Sequence, residues 1–309
     1  MTRLAIPSFA KINWILKILG KRRDGFHQIS TLYQTIDLKE EVVFETTRSR
    51  TIQLEIRGRP VARGKENLLY RTAELLRNCC GEQSGVKISL HKRIPVGAGL
   101  GGGAGNAAMA LLALNQLWQC RLDQDALTGL AAQLGSDIPF FLVGGTVAAG
   151  GRGEQLVPLP DTGETQTLIL LYPNFELSSS DAYALGQWDD CDEKVVLTRD
   201  NLDTTIQRLL RALDPKEDSW PLLENDFEGA LFTHYPILVK AQSALEKVGC
   251  KRVMLCGSGS TLLGFGSTKP VKEAVEQLST QQIGEVFTCQ TLSRNHYQQF
   301  LSNAGLKDV

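Results

Sequence analysis

Six glycines fall within nine consecutive positions in the run Pro95-Val96-Gly97-Ala98-Gly99-Leu100-Gly101-Gly102-Gly103-Ala104-Gly105-Asn106. That density disfavours both strand and helix interiors, so the run reads as a loop. The Ala-, Leu- and Met-rich residues that follow carry a helical pattern over Asn106–Trp118. A loop stripped of Cβ atoms and feeding a helix N-terminus presents unpaired amides and a positive dipole end, which together cradle phosphate. A plain strand-to-helix turn needs only one or two glycines. Gly97, Gly99 and Gly102 also satisfy G-x-G-x-x-G. A dinucleotide site, however, needs an acidic residue closing the next strand, and here Asp123 opens a second helix running to Leu134. No Gly-Lys-Ser/Thr closes the run as in a P-loop, so any catalytic cation must come from elsewhere.

The 309 residues are enough for two domains, and the net charge of −1 conceals an asymmetry. Residues 1–100 hold eighteen Lys and Arg against nine Asp and Glu, while the remainder holds fifteen against twenty-five. A basic front half suits anionic ligands, either a phosphorylated small molecule or RNA. No apolar run reaches the roughly 18 residues that span a bilayer. Residues 1–9 lack a leader pattern, so a cytoplasmic, non-membrane protein is expected. The seven cysteines show no C-x-x-C, and reduced thiols are expected throughout.

Strand patterns cover 3–7, 11–19, 30–38, 41–45 and 51–56, with a turn at Asp24-Gly25. Asn67 reads as the cap of a helix over 68–77, and 86–91 as a further strand. Beyond a division near 158/159 the pattern changes to strands at 167–172, 252–256, 261–265 and 285–290. Among these lie helices near 180–188, 199–213, 235–248 and 269–280, the signature of an α+β layer.

Two charged residues stand out against their surroundings. Lys11 interrupts an apolar strand pattern in Phe9-Ala-Lys-Ile-Asn13, and Asp137 sits in Leu134-Gly-Ser-Asp-Ile-Pro139 between a helix and an apolar segment. An aspartate backed by an ammonium group is what phosphoryl transfer to an alcohol uses: the carboxylate takes or orients the proton, and the remainder is positioning and charge neutralisation. The plainer alternatives are a lysine reaching along the strand to solvent and a loop carboxylate.

Three stretches in order, Pro95–Ala108, Leu134–Phe140 and Cys256-Gly-Ser-Gly-Ser-Thr261, resemble the glycine-rich, catalytic-aspartate and C-terminal glycine motifs of the GHMP kinases. Ser8–Trp14, Gly20–His27 and Thr31–Gln34 resemble the branch that acts on a cytidylyl-bearing methylerythritol. The resemblance implies an α+β, two-domain fold: a ribosomal-S5-like N-terminal domain over 1–158 and a ferredoxin-like C-terminal domain over 159–309. It implies ATP as co-substrate on residues 95–105, with Asn67 near the adenine and Mg2+ accompanying the nucleotide. Asp137 is expected as base, with Lys11 holding it ionised. Asn13 and His27 are expected to hydrogen-bond a small-molecule cytidylyl substrate, its cytosine between Phe26 and Tyr183. A monomer or homodimer without nucleic acid is expected.

The same residues admit other roles: His27 as a solvated turn residue, Tyr183 as a core aromatic, the whole chain as another small-molecule kinase or a catalytically impaired nucleotide binder. Phe26 stands where the branch usually has tyrosine, and Ala104-Gly105 where it has two serines. Loss of two hydroxyls implies weaker ATP binding, restored by the double Ala104→Ser/Gly105→Ser variant.

Overall fold

A computed structural model describes residues 2–82, 84–161, 165–191 and 223–307. The helix expected over 199–213 lies outside the described residues. The chain begins with one long antiparallel hairpin, β1 (Arg3–Lys21) and β2 (His27–Thr47), closed by a turn at Asp24-Gly25 in which the Arg22 amide donates to Phe26. The sequence pattern breaks each of these strands in two; the structure keeps them whole. Bulges at Phe9/Ala10, Asn13/Ile15 and Ile18/Gly20 absorb the irregularities. Pro7 is tolerated because β1 pairs with β2 on one side there, while its other neighbour, β8 (Glu224–Asn225), reaches only Ile15 and Leu16.

The first sheet has the order β3-β4-β2-β1-β8, with β3 (Ile52–Gly58) parallel to β4 (Gly85–Lys92). A short pair, β5 (Thr146–Gly150) and β6 (Gln155–Pro158), joins it through β2. Helices α1 (Leu68–Cys80), α2 (Gly102–Leu117) and α3 (Gln124–Leu134) and the one-turn α4 (Phe140–Val143) belong to this half. Ala107, Ala108, Ala110, Leu111, Ala113 and Leu114 of α2 are fully buried, so this helix is apolar all round and runs through the core.

The second sheet has the order β11-β7-β10-β9, all pairs antiparallel: β7 (Thr167–Tyr172), β9 (Cys250–Leu255), β10 (Leu262–Ser267) and β11 (Glu285–Gln290). Taken in chain order its strands lie 4-1-3-2, the ferredoxin-like arrangement that the sequence implies. Trp14, Ile36, Leu170, Met254 and Phe265 form a core shared by the two sheets. Helices α5 (Ser179–Leu185), α6 (Phe227–His234), α7 (Pro236–Lys247) and α8 (Val271–Thr280) accompany this half. The last helix, α9 (Arg294–Asn303), returns to the first core through Tyr297 and Leu301. Both α6 and α9 escape the sequence pattern.

One chemical expectation is corrected. Cys80, at the end of α1, and Cys120, in the turn after α2, form a disulfide with their Cα atoms 5.6 Å apart. The fold brings together two cysteines that are 40 residues apart in sequence, a separation that gives no spacing signal. Among the described residues, no helix is long and apolar enough to cross a membrane.

Candidate active site

The glycine run leaves the first sheet after β4 and enters α2 at Gly102, four residues earlier than the pattern predicts. No side chain caps the helix there; its N-cap residue, Gly101, takes the left-handed conformation that glycine allows. Starting the helix early leaves the amides of residues 102–104 at the mouth of a cavity of about 320 Å3 that residues 95–104 line together with Lys11 and Asp137. Three amides from other elements hold the loop: Lys11 donates to Leu100 (2.9 Å), Leu177 to Gly97 (3.0 Å) and Thr261 to Ala98 (3.3 Å). Gly99 and Gly259 meet backbone to backbone; a Cβ on Gly99 would overlap the Cys256 carbonyl oxygen, and one on Gly259 would overlap the Gly99 amide. The third glycine motif therefore clamps the first.

Under the loop lies a buried charge cluster that the sequence pattern does not reveal. Glu40 accepts from the Lys92 ammonium (2.6 Å), the Asn106 amide group (2.8 Å) and the backbone amides of Arg93 and Ile94. Burial pushes the Lys92 ammonium below its ordinary value, and Glu40 partly offsets this. Glu40 sits in the charged stretch Asp37-Leu38-Lys39-Glu40-Glu41 of β2, where one more carboxylate draws no attention.

Lys11 and Asn13 project from the same face of β1, being two residues apart. The Lys11 Nζ donates to Asn13 Oδ1 (2.8 Å), Asn13 Nδ2 donates to Thr31 Oγ1 (2.7 Å), and the ammonium lies 3.4 Å from Asp137 Oδ2. Lys11 is 4% exposed and Asp137 38%, so the cation is buried and the carboxylate open to the cavity. The other carboxylate oxygen, Oδ1, accepts from the Tyr33 hydroxyl at 3.0 Å. Burial, with Asp137 alongside, pushes the Tyr33 phenol well above its ordinary value, so it remains a donor. Sequence reasoning reaches Lys11 and Asp137 but passes over Tyr33, which reads as an ordinary inward strand aromatic.

A second cavity of about 840 Å3 opens on the other side of Asp137, and Lys11, Ala104, Asp137, Ser179 and Ser258 line both cavities. Asn13, Phe26, His27 and Tyr183 also line the larger one. The His27 imidazole stacks flat on the Tyr183 ring, centroids 4.2 Å apart at 9°. Burial and the nearby Lys21 lower the His27 pKa below its ordinary value, keeping the ring neutral at neutral pH.

Phe26 and Tyr183 both line the larger cavity, Tyr183 stacked on His27 and the half-exposed Phe26 ring 4.5 Å from the Arg152 guanidinium. Asn67 lines neither cavity, because its Oδ1 caps α1 at Leu69 and its Nδ2 donates to Ala62. Gly105 leaves no room for the serine of the related branch: a Cβ there would lie 2.8 Å from the Phe9 carbonyl oxygen and 3.0 Å from Ser8 Oγ.

An anion cradle at a helix start, opening beside an aspartate that a buried lysine backs, is the equipment of a small-molecule phosphotransferase. The sequence models of the GHMP kinase N-terminal and C-terminal domains match residues 67–145 and 200–283, and the chain belongs to the GHMP kinases. Its relatives include the 4-diphosphocytidyl-2-C-methyl-D-erythritol kinase of Thermodesulfovibrio yellowstonii, 37% identical over 86% of this chain and 90% of the relative. The enzyme of that name from Prochlorococcus marinus is 41% identical, over 86% and 87%. A crystal structure of 4-(cytidine 5'-diphospho)-2C-methyl-D-erythritol kinase superposes with a TM-score of 0.75 at 31% identity, covering 93% of this chain and 99% of the other.

Proposed function

We propose that this chain is an ATP-dependent kinase that phosphorylates the 2-hydroxyl of 4-diphosphocytidyl-2-C-methyl-D-erythritol, giving the 2-phosphate and ADP in non-mevalonate isoprenoid precursor biosynthesis. The observation that carries this reading is the junction of two cavities at one ion pair, Lys11–Asp137, with the amide-lined cradle on one side and the His27–Tyr183 stack on the other. The smaller cavity takes the triphosphate of ATP on the amides of residues 102–104 and the loop before them. The larger takes the acceptor, its base toward His27 and Tyr183 and its methylerythritol toward Asp137.

In the transfer step the acceptor hydroxyl gives its proton to Asp137 as its oxygen bonds to the γ-phosphorus, and the bond from that phosphorus to ADP breaks. Tyr33 and Lys11 each engage one oxygen of Asp137 and so fix the plane of the carboxylate. Asn13 in turn positions Lys11. A Mg2+ bound with the nucleotide would supply charge that neutralises phosphate oxygens. Among the described residues, no three His, Cys, Asp or Glu side chains gather as a metal site. Asp137, the carboxylate lining the loop's cavity, would be the side chain to share such a metal with the phosphates. The division of labour follows the division of the chain near 158/159, with loop and base in the first part and Tyr183 and the clamping motif in the second.

A coupled assay of ADP release on the cytidylyl substrate, with mevalonate, galactose and homoserine as controls, tests the reading. Turnover of the cytidylyl substrate alone is expected. Equal or better turnover of any control overturns it.

A further inference from the structure

We propose that Arg152, held over the Phe26 ring, grips the diphosphate of the acceptor substrate; this inference rests on the function proposed above. The acceptor cavity is lined by three cations, Lys11, Lys21 and Arg152, and Lys11 is committed to Asp137 and Asn13. Arg152 is three-quarters buried, which is costly for a guanidinium with five N–H donors to satisfy. Its own contacts are long: Nη2 lies 3.5 Å from the Ala132 carbonyl oxygen, and Nε lies 3.9 Å from Glu154. Glu154 is instead taken up by the Arg152 backbone amide at 2.6 Å. The nearby Asp24 is held by Arg22, at 2.7 Å from Nη2. Most of the guanidinium's hydrogen-bonding capacity therefore faces the cavity.

Its position matches one part of the substrate. Ala132 belongs to the last turn of α3, shortly before Asp137, so Arg152 reaches from the Phe26 ring beside His27 toward the reacting end of the cavity. In the acceptor the 2-hydroxyl is two carbons from the carbon that carries the diphosphate, so the diphosphate must rest close to Asp137 when the hydroxyl reaches it. Arg152 does not line the nucleotide cavity, which separates this role from ATP binding.

The platform accounts for Phe26. A half-exposed phenylalanine in a turn gains only part of the benefit of burial. A ring with its centroid 4.5 Å from a guanidinium restrains that group beside the cavity, where it can contact phosphate oxygens. The β5–β6 turn fixes the backbone side: the Ile29 amide donates to the Gly151 carbonyl oxygen (2.8 Å), and the Gly153 amide to that of Gly150 (2.9 Å).

Steady-state kinetics on the wild type, Arg152→Gln, Arg152→Lys, Phe26→Leu and the Arg152→Gln/Phe26→Leu double variant test the proposal. Arg152→Gln is expected to raise KM for the cytidylyl substrate on the order of 10- to 100-fold while KM for ATP stays within twofold. Arg152→Lys is expected to recover part of that loss. Phe26→Leu is expected to raise the same KM several-fold alone and not at all in the Arg152→Gln background. The unchanged ATP KM reports that the variants are folded. If the wild type turns over the cytidylyl substrate but Arg152→Gln leaves its KM within twofold, the clamp is refuted and the proposed function stands. If Phe26→Leu costs the same in both backgrounds, the platform is refuted. A wild type inactive on the cytidylyl substrate takes both proposals down.

Discussion

Replacing Tyr33 with phenylalanine isolates one interaction at the reacting carboxylate. The ring is buried and phenylalanine fills the same volume, so the packing against Phe140 persists and only the hydroxyl is lost. That hydroxyl supplies the 3.0 Å hydrogen bond to Asp137 Oδ1. A hydrogen bond to a charged group contributes about 1.5–3 kcal/mol. Because Asp137 is 38% exposed, water replaces part of it, which favours the lower figure. At about 1.4 kcal/mol per factor of ten, the expected fall in kcat is about tenfold. KM for ATP should stay within twofold, and the melting temperature within a few degrees, since no buried partner is orphaned. The pH dependence carries a sign. Burial raises the folded-state pKa of the phenol well above its ordinary value, so the donor is intact below that ordinary value and is lost only as pH rises through the folded value. The ratio of wild-type to Tyr33→Phe turnover should therefore be flat from pH 7 to 9 in the ADP-release assay. A kcat within twofold of wild type refutes the argument, and so does a ratio that collapses toward one by pH 9.

Asp137→Asn keeps the shape of the site and removes the proton acceptor; turnover should fall by about 10²–10⁴-fold while ATP binding by calorimetry stays within threefold. The two missing serines now separate. Ala104→Ser projects into both cavities and should tighten ATP binding by a few-fold in calorimetry, whereas Gly105→Ser meets the Phe9 carbonyl and should weaken it and lower the melting temperature. Equal behaviour of the two would undo this account. Glu40→Gln deprives the buried Lys92 of its counter-charge, a loss of about 3 kcal/mol for a broken buried pair. Thermal unfolding should drop by about 6 °C at roughly 2 °C per kcal/mol, and no drop would show that Lys92 sheds its charge at little cost.

The parts of the site that the sequence discloses are those whose chemistry is local. The glycine run declares a loop and a cradle because glycine density has no other use there. Lys11 and Asp137 show as misfits in apolar or structural surroundings, but their 3.4 Å approach depends on β1 lying beside the loop, which the Lys11–Leu100 hydrogen bond makes visible only in three dimensions. Tyr33 and Glu40 are hidden because each occupies a position where an aromatic or a strand residue is unremarkable; their partners lie 104, 52 and 66 residues away. Helix α9 is missed for a similar reason. Its buried stripe is only Tyr297 and Leu301, too thin to produce a period, although Ser293 does cap it as an N-terminal serine should. The hairpin strands were legible in type but not in length, since bulges let a strand continue through residues that interrupt its alternation.

The contact between Gly99 and Gly259 sets a limit on how this enzyme can be taken apart. The proposed seat for the triphosphate comes from the front of the chain, yet its curvature is held from behind by residues 256–261 and by Leu177. A fragment ending near residue 158 would keep the glycine loop, Lys11 and Asp137 and lose both the brace that shapes the seat and the part of its lining that Ser178, Ser179 and Ser258 supply. Any flexing that admits or releases nucleotide must take place around this fused seam rather than across it.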